Sequence, residues 1–323
     1  MNREEILSLL EPNAINDVLV EIKTKETILY SNVFANQYMS PTRHVRISDI
    51  TISRKALPIS KPETPSPEYR EEEYNVKTFE IPLIKVKRFL SPSEIRDLSK
   101  LQGSDITTTL ANYLAVLKKQ LIETYEILCA KALTGQIVHR LFGNGDIAIS
   151  FGNIQNYTVA NYWNDANGKP IDDINSMIEL IVSKTNHGDF VLVVSQSVIN
   201  ALINNSQTKE YLAHTIGDQV YENGRITRIA DVDIAVVRGT YTDADDNVKS
   251  LLPNPKEVYL VSRTALYKVF GPPESFDLAG PTEAYAYTSY KELDPMGIEI
   301  GVMARFLPLI LDTNAIVKAQ VLP

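Results

Sequence analysis

The chain has 323 residues, 44% of them hydrophobic and 22% charged, a balance that buries a sizeable core without help from metals or disulfides. Its 40 Asp and Glu outnumber its 32 Lys and Arg, for a net charge of −8. That excess of acid disfavours any protein whose main work is to grip phosphates.

Residues 1–40 read as an arm. The opening Met1-Asn2-Arg3-Glu4-Glu5 lacks the apolar stretch of a secretory signal. Leu7, Leu9 and Leu10 make a short helical patch that stops at Pro12. Asn13 and Asn16 then precede a weakly periodic run from Val18 to Leu29. These patches are too short for a core of their own, so the arm is either frayed or tied down on something else.

Residues 41–90 are punctuated by Pro41, Pro58, Pro62, Pro65, Pro67 and Pro82. Val45 to Ile52 alternates apolar and polar, the period of a strand, and Val76 to Val86 is a second extended run. Between them, Lys61 to Glu73 is Pro-rich and charged. The pattern predicts a long two-stranded arm with a solvated tip that includes Tyr69, Arg70, Glu71 and Glu72. A protruding hairpin cannot bury both faces within its own subunit, so it needs a neighbouring chain. The plainer alternative is a linker between domains.

The strongest element follows. Ile106, Leu110, Tyr113, Leu114, Leu117, Leu121, Tyr125, Leu128 and Ala132 recur at spacings of three and four, one apolar stripe on a long helix. A helix from about 105 to 134, capped by Ser104 or Asp105, would be on the order of 45 Å long. Cys129 lies on it as the only cysteine, which excludes an intramolecular disulfide and reads as a small buried residue. Phe142 to Asp146 signals a turn, after which Ile147, Ile149 and Phe151 alternate. Tyr157 to Tyr162 continues extended, and Trp163 to Pro170 is a loop.

From residue 172 the texture changes. Asp172 is placed as the cap of a helix carrying Ile174, Met177, Ile178 and Ile181. Phe190 to Ser195 is a continuous apolar run, as in a buried central strand. Helices are expected over 197–204 and 209–216, and strands over Ile226 to Val237 and Val258 to Val261. The whole reads as a compact α+β unit over 172–275. Residues 276–323 return to extended structure at Tyr285–Tyr290, Ile298–Phe306 and Ile316–Leu322. No window approaches the ~18 apolar residues of a bilayer span, and no internal repeat is visible.

Signatures of catalysis are missing. Gly168-Lys169 is followed by Pro170 and lacks the glycine of a phosphate loop. His44, His139, His187 and His214 have no ligand spacing to one another or to Cys129. Asp243-Ala244-Asp245-Asp246-Asn247 opens like a calcium loop, but Val248 and Asn254 stand where that loop needs Gly and Glu. A solvated acidic turn is the better reading. No catalytic, cofactor or metal residue is assigned, and no cofactor is expected.

Three stretches carry a likeness. The first is Ala130-Lys131-Ala132-Leu133-Thr134-Gly135-Gln136-Ile137 with Ile149-Ser150-Phe151-Gly152. The second is Tyr162-Trp163-Asn164-Asp165 with Pro170-Ile171-Asp172-Asp173-Ile174. The third is Phe270-Gly271-Pro272, Tyr290, Asp294-Pro295-Met296-Gly297, Pro308-Leu309 and Ala315 to Val321. In this order they resemble the lambda-type major capsid proteins of tailed phages, which share the Hong Kong 97-type fold.

The resemblance implies an α+β fold with an N-terminal arm (1–42), an extended loop (43–91) and a peripheral domain of spine helix and β-hairpin (92–171). An axial domain (172–275) and return strands (276–323) would follow. It implies a head protein that forms hexamers and pentamers of an icosahedral shell around double-stranded DNA. Partners would be itself, a separate scaffold protein, a portal and a decoration protein, with no membrane and no sequence-specific DNA contact. The protein would be a virion component, from phage or prophage, assembled in the host cytoplasm. Lysine–asparagine cross-linking, known in some relatives, is not carried over because nothing here singles out a pair. Interface candidates are Tyr69, Arg70, Glu71 and Glu72 on the loop tip, with Thr242, Asp243, Asp245 and Asp246. Alternatives are a cellular nanocompartment shell, a tail or adaptor protein, or a soluble enzyme with its site in 172–275.

Overall fold

The computed structural model describes residues 11–24, 27–47, 50, 77–100, 103–141, 145–214, 221–222, 225–243, 245–275, 279–291 and 296–323. Helix α1 (Pro12–Glu21) opens with proline in its first turn, where the missing N–H costs nothing. A π-helical turn follows at Ile28–Val33, so the run expected from Val18 to Leu29 is two pieces. Next come β1 (Asn36–Met39) and β2 (His44–Arg46). The strand expected over Val45–Ile52 ends at Arg46, and Ile50 N–H turns back to the Ile47 carbonyl at 3.1 Å. The second expected run is also split, into β3 (Thr78–Glu80) and β4 (Leu83–Leu90). Pro82, which has no N–H to give a ladder, stands between them. β2 pairs antiparallel with β3, whereas β4 joins a different sheet.

Helix α2 (Pro92–Ser99) begins with a capping box in which Ser91 and Glu94 satisfy each other's backbone N–H. Helix α3 (Gly103–Ala132) is the expected long helix, starting two residues early, so Ser104 and Asp105 lie inside it. At its C-terminal end Gly135 takes φ +84°, and a Cβ there would sit 2.4 Å from the Gly152 carbonyl oxygen. Only glycine lets the chain reverse this tightly into β5 (Gln136–Arg140), which forms a hairpin with β6 (Asp146–Ser150). The extended character expected over 157–162 is confined to β7 (Gln155–Tyr157).

Helix α4 (Pro170–Lys184) has Lys169 at its N-cap position with no side-chain cap bond, and Asp172 stands in its first turn instead of at the cap. Pro170, with φ already helical, starts the helix before Asp172 is reached. β8 (Phe190–Ser195) leads into α5 (Gln196–Asn204), whose cap is Ser195, and α6 (Ser206–His214) begins three residues before the expected position. Short strands β9 (Tyr221–Glu222), β10 (Arg225–Ile226) and β11 (Arg228–Ile229) precede β12 (Val232–Val237). A hairpin of β13 (Thr240–Thr242) and β14 (Val248–Ser250) is followed by β15 (Glu257–Ser262) and β16 (Leu266–Gly271). β17 (Tyr285–Lys291), β18 (Gly297–Ile310) and β19 (Ile316–Gln320) complete the chain.

Two sheets organise these parts. The six-stranded sheet runs β11-β12-β8-β15-β19-β7, and the five-stranded sheet joins β1-β16-β18-β17 with β4 also paired to β18. The sheets do not divide the chain at 275, the sequence boundary. β16 lies in the five-stranded sheet and β19 in the six-stranded one. The reason is pairing. β15 and β16 run antiparallel to β19 and β18, so one two-stranded ribbon passes through both sheets. It bends at 3-10 turns Arg263–Ala265 and Thr313–Ala315, where Leu311 N–H donates to the Ala265 carbonyl at 3.0 Å.

Burial follows strand alternation. Val191, Val193, Tyr259 and Val261 face a core shared with α3 and the five-stranded sheet. Leu192, Val194, Val258 and Leu260 face a second core with Ile174, Met177 and Ile181 of α4 and Val198 and Leu202 of α5. The six-stranded sheet is therefore covered on both sides, which is why its strands read as unbroken apolar runs.

Candidate assembly interface

The N-terminal segment is held to the body by polar side chains that reach its backbone. Glu126 of α3 is buried, and its two carboxylate oxygens accept from Leu29 N–H (2.9 Å) and Tyr30 N–H (2.7 Å). Burial raises its carboxyl above the usual range, and the backbone N–H of Leu29 foremost partly offsets this. Lys118 donates to the carbonyls of Leu19 (3.0 Å) and Ile22 (2.8 Å) at the end of α1. Asn16 acts as a strand partner in miniature: its amide donates to the Ala286 carbonyl (2.9 Å) and accepts from Ala286 N–H (2.8 Å). That closes part of the β17 edge, a surface that would otherwise be a template for another strand. Tyr30 donates to Glu283, and Tyr125 donates to the Glu283 carbonyl at 2.6 Å. The described part of the arm is thus tied down, one of the two outcomes its composition left open, and the Leu7, Leu9 and Leu10 patch lies outside the described residues.

A second surface lies where two hairpins meet. A groove of about 730 Å³ separates the end of α3 from the β5–β6 and β13–β14 hairpins. Lys131 spans it, donating to the Val138 carbonyl (2.7 Å) and lying 3.2 Å from His139 Nδ1. Burial, then the Lys131 ammonium, hold His139 below its ordinary pKa. Arg140 pairs with Asp245 across the groove at 3.1 Å, with both side chains about half exposed.

Four of the residues singled out from sequence sit here. Thr242 ends β13 and is exposed. Asp243 Oδ1 accepts from the backbone N–H of Asp245 (2.9 Å) and Asn247 (3.0 Å), and Oδ2 pairs with Lys249 at 2.6 Å. Lys249, then those amides, push the Asp243 carboxyl down to about 2. Asp246 takes φ +61° to close the turn. The acidic loop is therefore a self-satisfied turn whose carboxylate is already occupied. Among the described residues no group of three His, Cys, Asp or Glu side chains is placed to hold a metal ion. Tyr69, Arg70, Glu71 and Glu72 lie outside the described residues.

The anchoring residues Glu126, Asn16 and Lys118 escaped the sequence reading. Glu126 carried a signal: it stands between Ile122 and Cys129 on the apolar stripe of α3, where a carboxylate must find partners. Asp173 is a similar case, accepting from Tyr157 OH (3.0 Å) and Trp163 Nε1 (2.9 Å). Ser195, at the end of the strand that would have carried a catalytic site, donates to the Pro255 carbonyl and caps α5. Among the described residues no helix is long and apolar enough to cross a membrane.

Residues 11–321 match the family of phage major capsid protein E. The chain belongs to that family. Among solved structures it resembles a prophage capsid protein of E. coli CFT073, with TM-score 0.66 and 16% identity over 97% of this chain and 99% of the other. A phage-related protein of Bordetella bronchiseptica RB50 follows at TM-score 0.56 and 13% identity, over 96% and 97% of the two chains. A Mycobacterium phage Che8 chain gives TM-score 0.50 and 14% identity over 93% of each. No curated protein sequence matches. The fold is the Hong Kong 97-type capsid fold, and the protein is a structural shell subunit and virion component that assembles with itself.

Proposed function

We propose that this capsid protein forms hexamers and pentamers of a closed icosahedral shell around phage double-stranded DNA, without catalytic turnover. One observation carries the reading. Three two-stranded ribbons, β2–β3, β5–β6 and β13–β14, leave most of their residues exposed, and β14 is exposed throughout. Such ribbons are marginal alone and gain stability by packing against neighbours. The six-stranded sheet with α4–α6 is assigned the axial position around the symmetry axes. The five-stranded sheet with α3 and the β5–β6 hairpin is assigned the periphery. β7, β16 and β19 fall in the other sheet from the one the boundaries read from sequence would give them.

The net charge of −8 suits an inner wall that encloses DNA without adhering to it. A separate scaffold protein, a portal and a decoration protein are the expected partners, with assembly in the host cytoplasm. The extended loop (43–91) is assigned to a contact with the adjacent subunit. The test is to express the full chain with and without residues 61–73 and follow particles by sedimentation and electron microscopy. Closed shells from the full chain, and their loss on deletion, are expected. A monomer at high concentration would overturn the shell reading, and undiminished shells without the tip would overturn the loop's role.

A further inference from the structure

The ribbon that passes through both sheets has to be held at its bend, and one side chain gathers the contacts that can do so. Arg263 begins the 3-10 turn between β15 and β16. Its guanidinium donates to Asp189 Oδ1 (2.7 Å) before β8, to Asp233 Oδ2 (2.8 Å) on β12, and to the Asn32 carbonyl (3.0 Å) in the π-helical turn. Its own backbone is equally engaged. Arg263 N–H donates to the Asp189 carbonyl at 3.0 Å, and its carbonyl accepts from Asn36 Nδ2 (2.7 Å) at the start of β1. The residue therefore touches the six-stranded sheet at two strand ends, the five-stranded sheet at β1, and the N-terminal segment between them. Its side chain is only 20% exposed, while the Asp189 and Asp233 side chains are about half exposed, so the charge-assisted bonds are sheltered on the arginine side.

We propose that Arg263 is a positioning residue that sets the angle between the two sheets and, through it, the curvature of the shell; this rests on the shell reading above. The geometry supports a pin more than general glue. A planar guanidinium with several fixed donors satisfies two carboxylates and a carbonyl at once only in one orientation of the bend. Lysine offers a point charge that cannot hold the three in fixed directions. The two chain crossings are joined by the Leu311 to Ala265 bond, so a shift at Arg263 is carried to the β18–β19 crossing as well.

The experiment compares the full-length protein with Arg263→Met, Arg263→Lys, Asp189→Asn and Asp233→Asn. Hydrogen exchange is read at the amides of Leu266 and Leu311, which close the two crossings, and particle diameter is read by electron microscopy. Losing one charge-assisted bond is expected to speed exchange at these two amides by about tenfold, with the centres of β8 and β18 unchanged. Diameters are expected to spread or shift, most for Arg263→Met, with Arg263→Lys failing to restore them. If Arg263→Met does not fold, the two asparagine variants carry the test, with Asp189→Asn the cleaner one because Asp233 also lies 4.0 Å from Arg228. Wild-type diameters and wild-type exchange at both crossings would overturn the proposal, as would lower yield with an unchanged diameter. If the unaltered chain forms no shells, the shell reading fails, and the exchange measurement alone decides whether Arg263 holds the bend.

Discussion

The six-stranded sheet draws three of its central strands from one stretch of chain, β8, β12 and β15 between residues 190 and 262, and sits between two cores. The five-stranded sheet gathers strands from residue 36 to residue 310, pairing Asn36 with Tyr267 and Leu83 with Arg305. Closing such separations costs entropy before any contact rewards it. The first sheet makes its central pairings within that stretch, and only β19 and β7 are added from residues 316–320 and 155–157. The second depends on long-range partners, including an aromatic cluster of Tyr30, Tyr125, Phe270 and Phe306 with the Tyr125 and Phe306 centroids 4.1 Å apart. The distant N-terminal segment is part of that second unit, because Tyr30, whose N–H donates to Glu126, packs its ring against Tyr125 and Phe306.

The sharpest way to break this contrast is Phe306→Ala. Truncating a fully buried phenylalanine is expected to cost about 3–5 kcal/mol. The core that contains Phe306 extends to Val193 and Tyr259 of the six-stranded sheet. A single urea transition with a lower midpoint is therefore expected, and two separated transitions would show the sheets to be independent. Asp173→Asn should have a smaller effect, about 1–3 kcal/mol, because Trp163 and Tyr157 donate to different carboxylate oxygens and the amide puts an NH2 in place of one of them. Trp163 is the only tryptophan, so its fluorescence reports that site directly. A red-shifted emission with an intact five-stranded sheet would sharpen the comparison.

Glu126→Gln tests the tie between arm and helix through pH. The folded protein raises the Glu126 pKa above its unfolded value, so the stability tied to its protonated form is complete below about 4.5 and is lost as pH rises through the raised folded value. The difference in Tm between variant and wild type should move in the variant's favour as pH climbs across that window. A pH-independent difference would show that Glu126 titrates normally. The smallest effect is expected from Asp245→Ala. Its exposed pair with Arg140 should contribute about 0–1 kcal/mol, and a large loss of stability would mark the two-hairpin groove as structural.

Legibility follows the same contrast. The stripe from Ile106 to Ala132 and the run Phe190–Ser195 announced α3 and β8 because their periodicity is local. The acidic turn at Asp243 was readable as solvated because Val248 and Asn254 lack the calcium-loop pattern, and its lone salt partner, Lys249, lies six residues away. Arg263, Asn16 and Glu126 were not readable, since the partners that fasten them lie between 30 and 270 positions away along the chain and touch only after folding.

By itself the sequence determined the kinds of element, their order, the absence of a disulfide and the membership of a shell-forming fold, because those depend on spacing and composition within short windows. The tertiary structure alone decided which sheet receives β16 and β19, how the arm is fastened and where the ribbon bends. Those outcomes depend on pairing across hundreds of residues, where the pattern within any one strand is equally compatible with several partners.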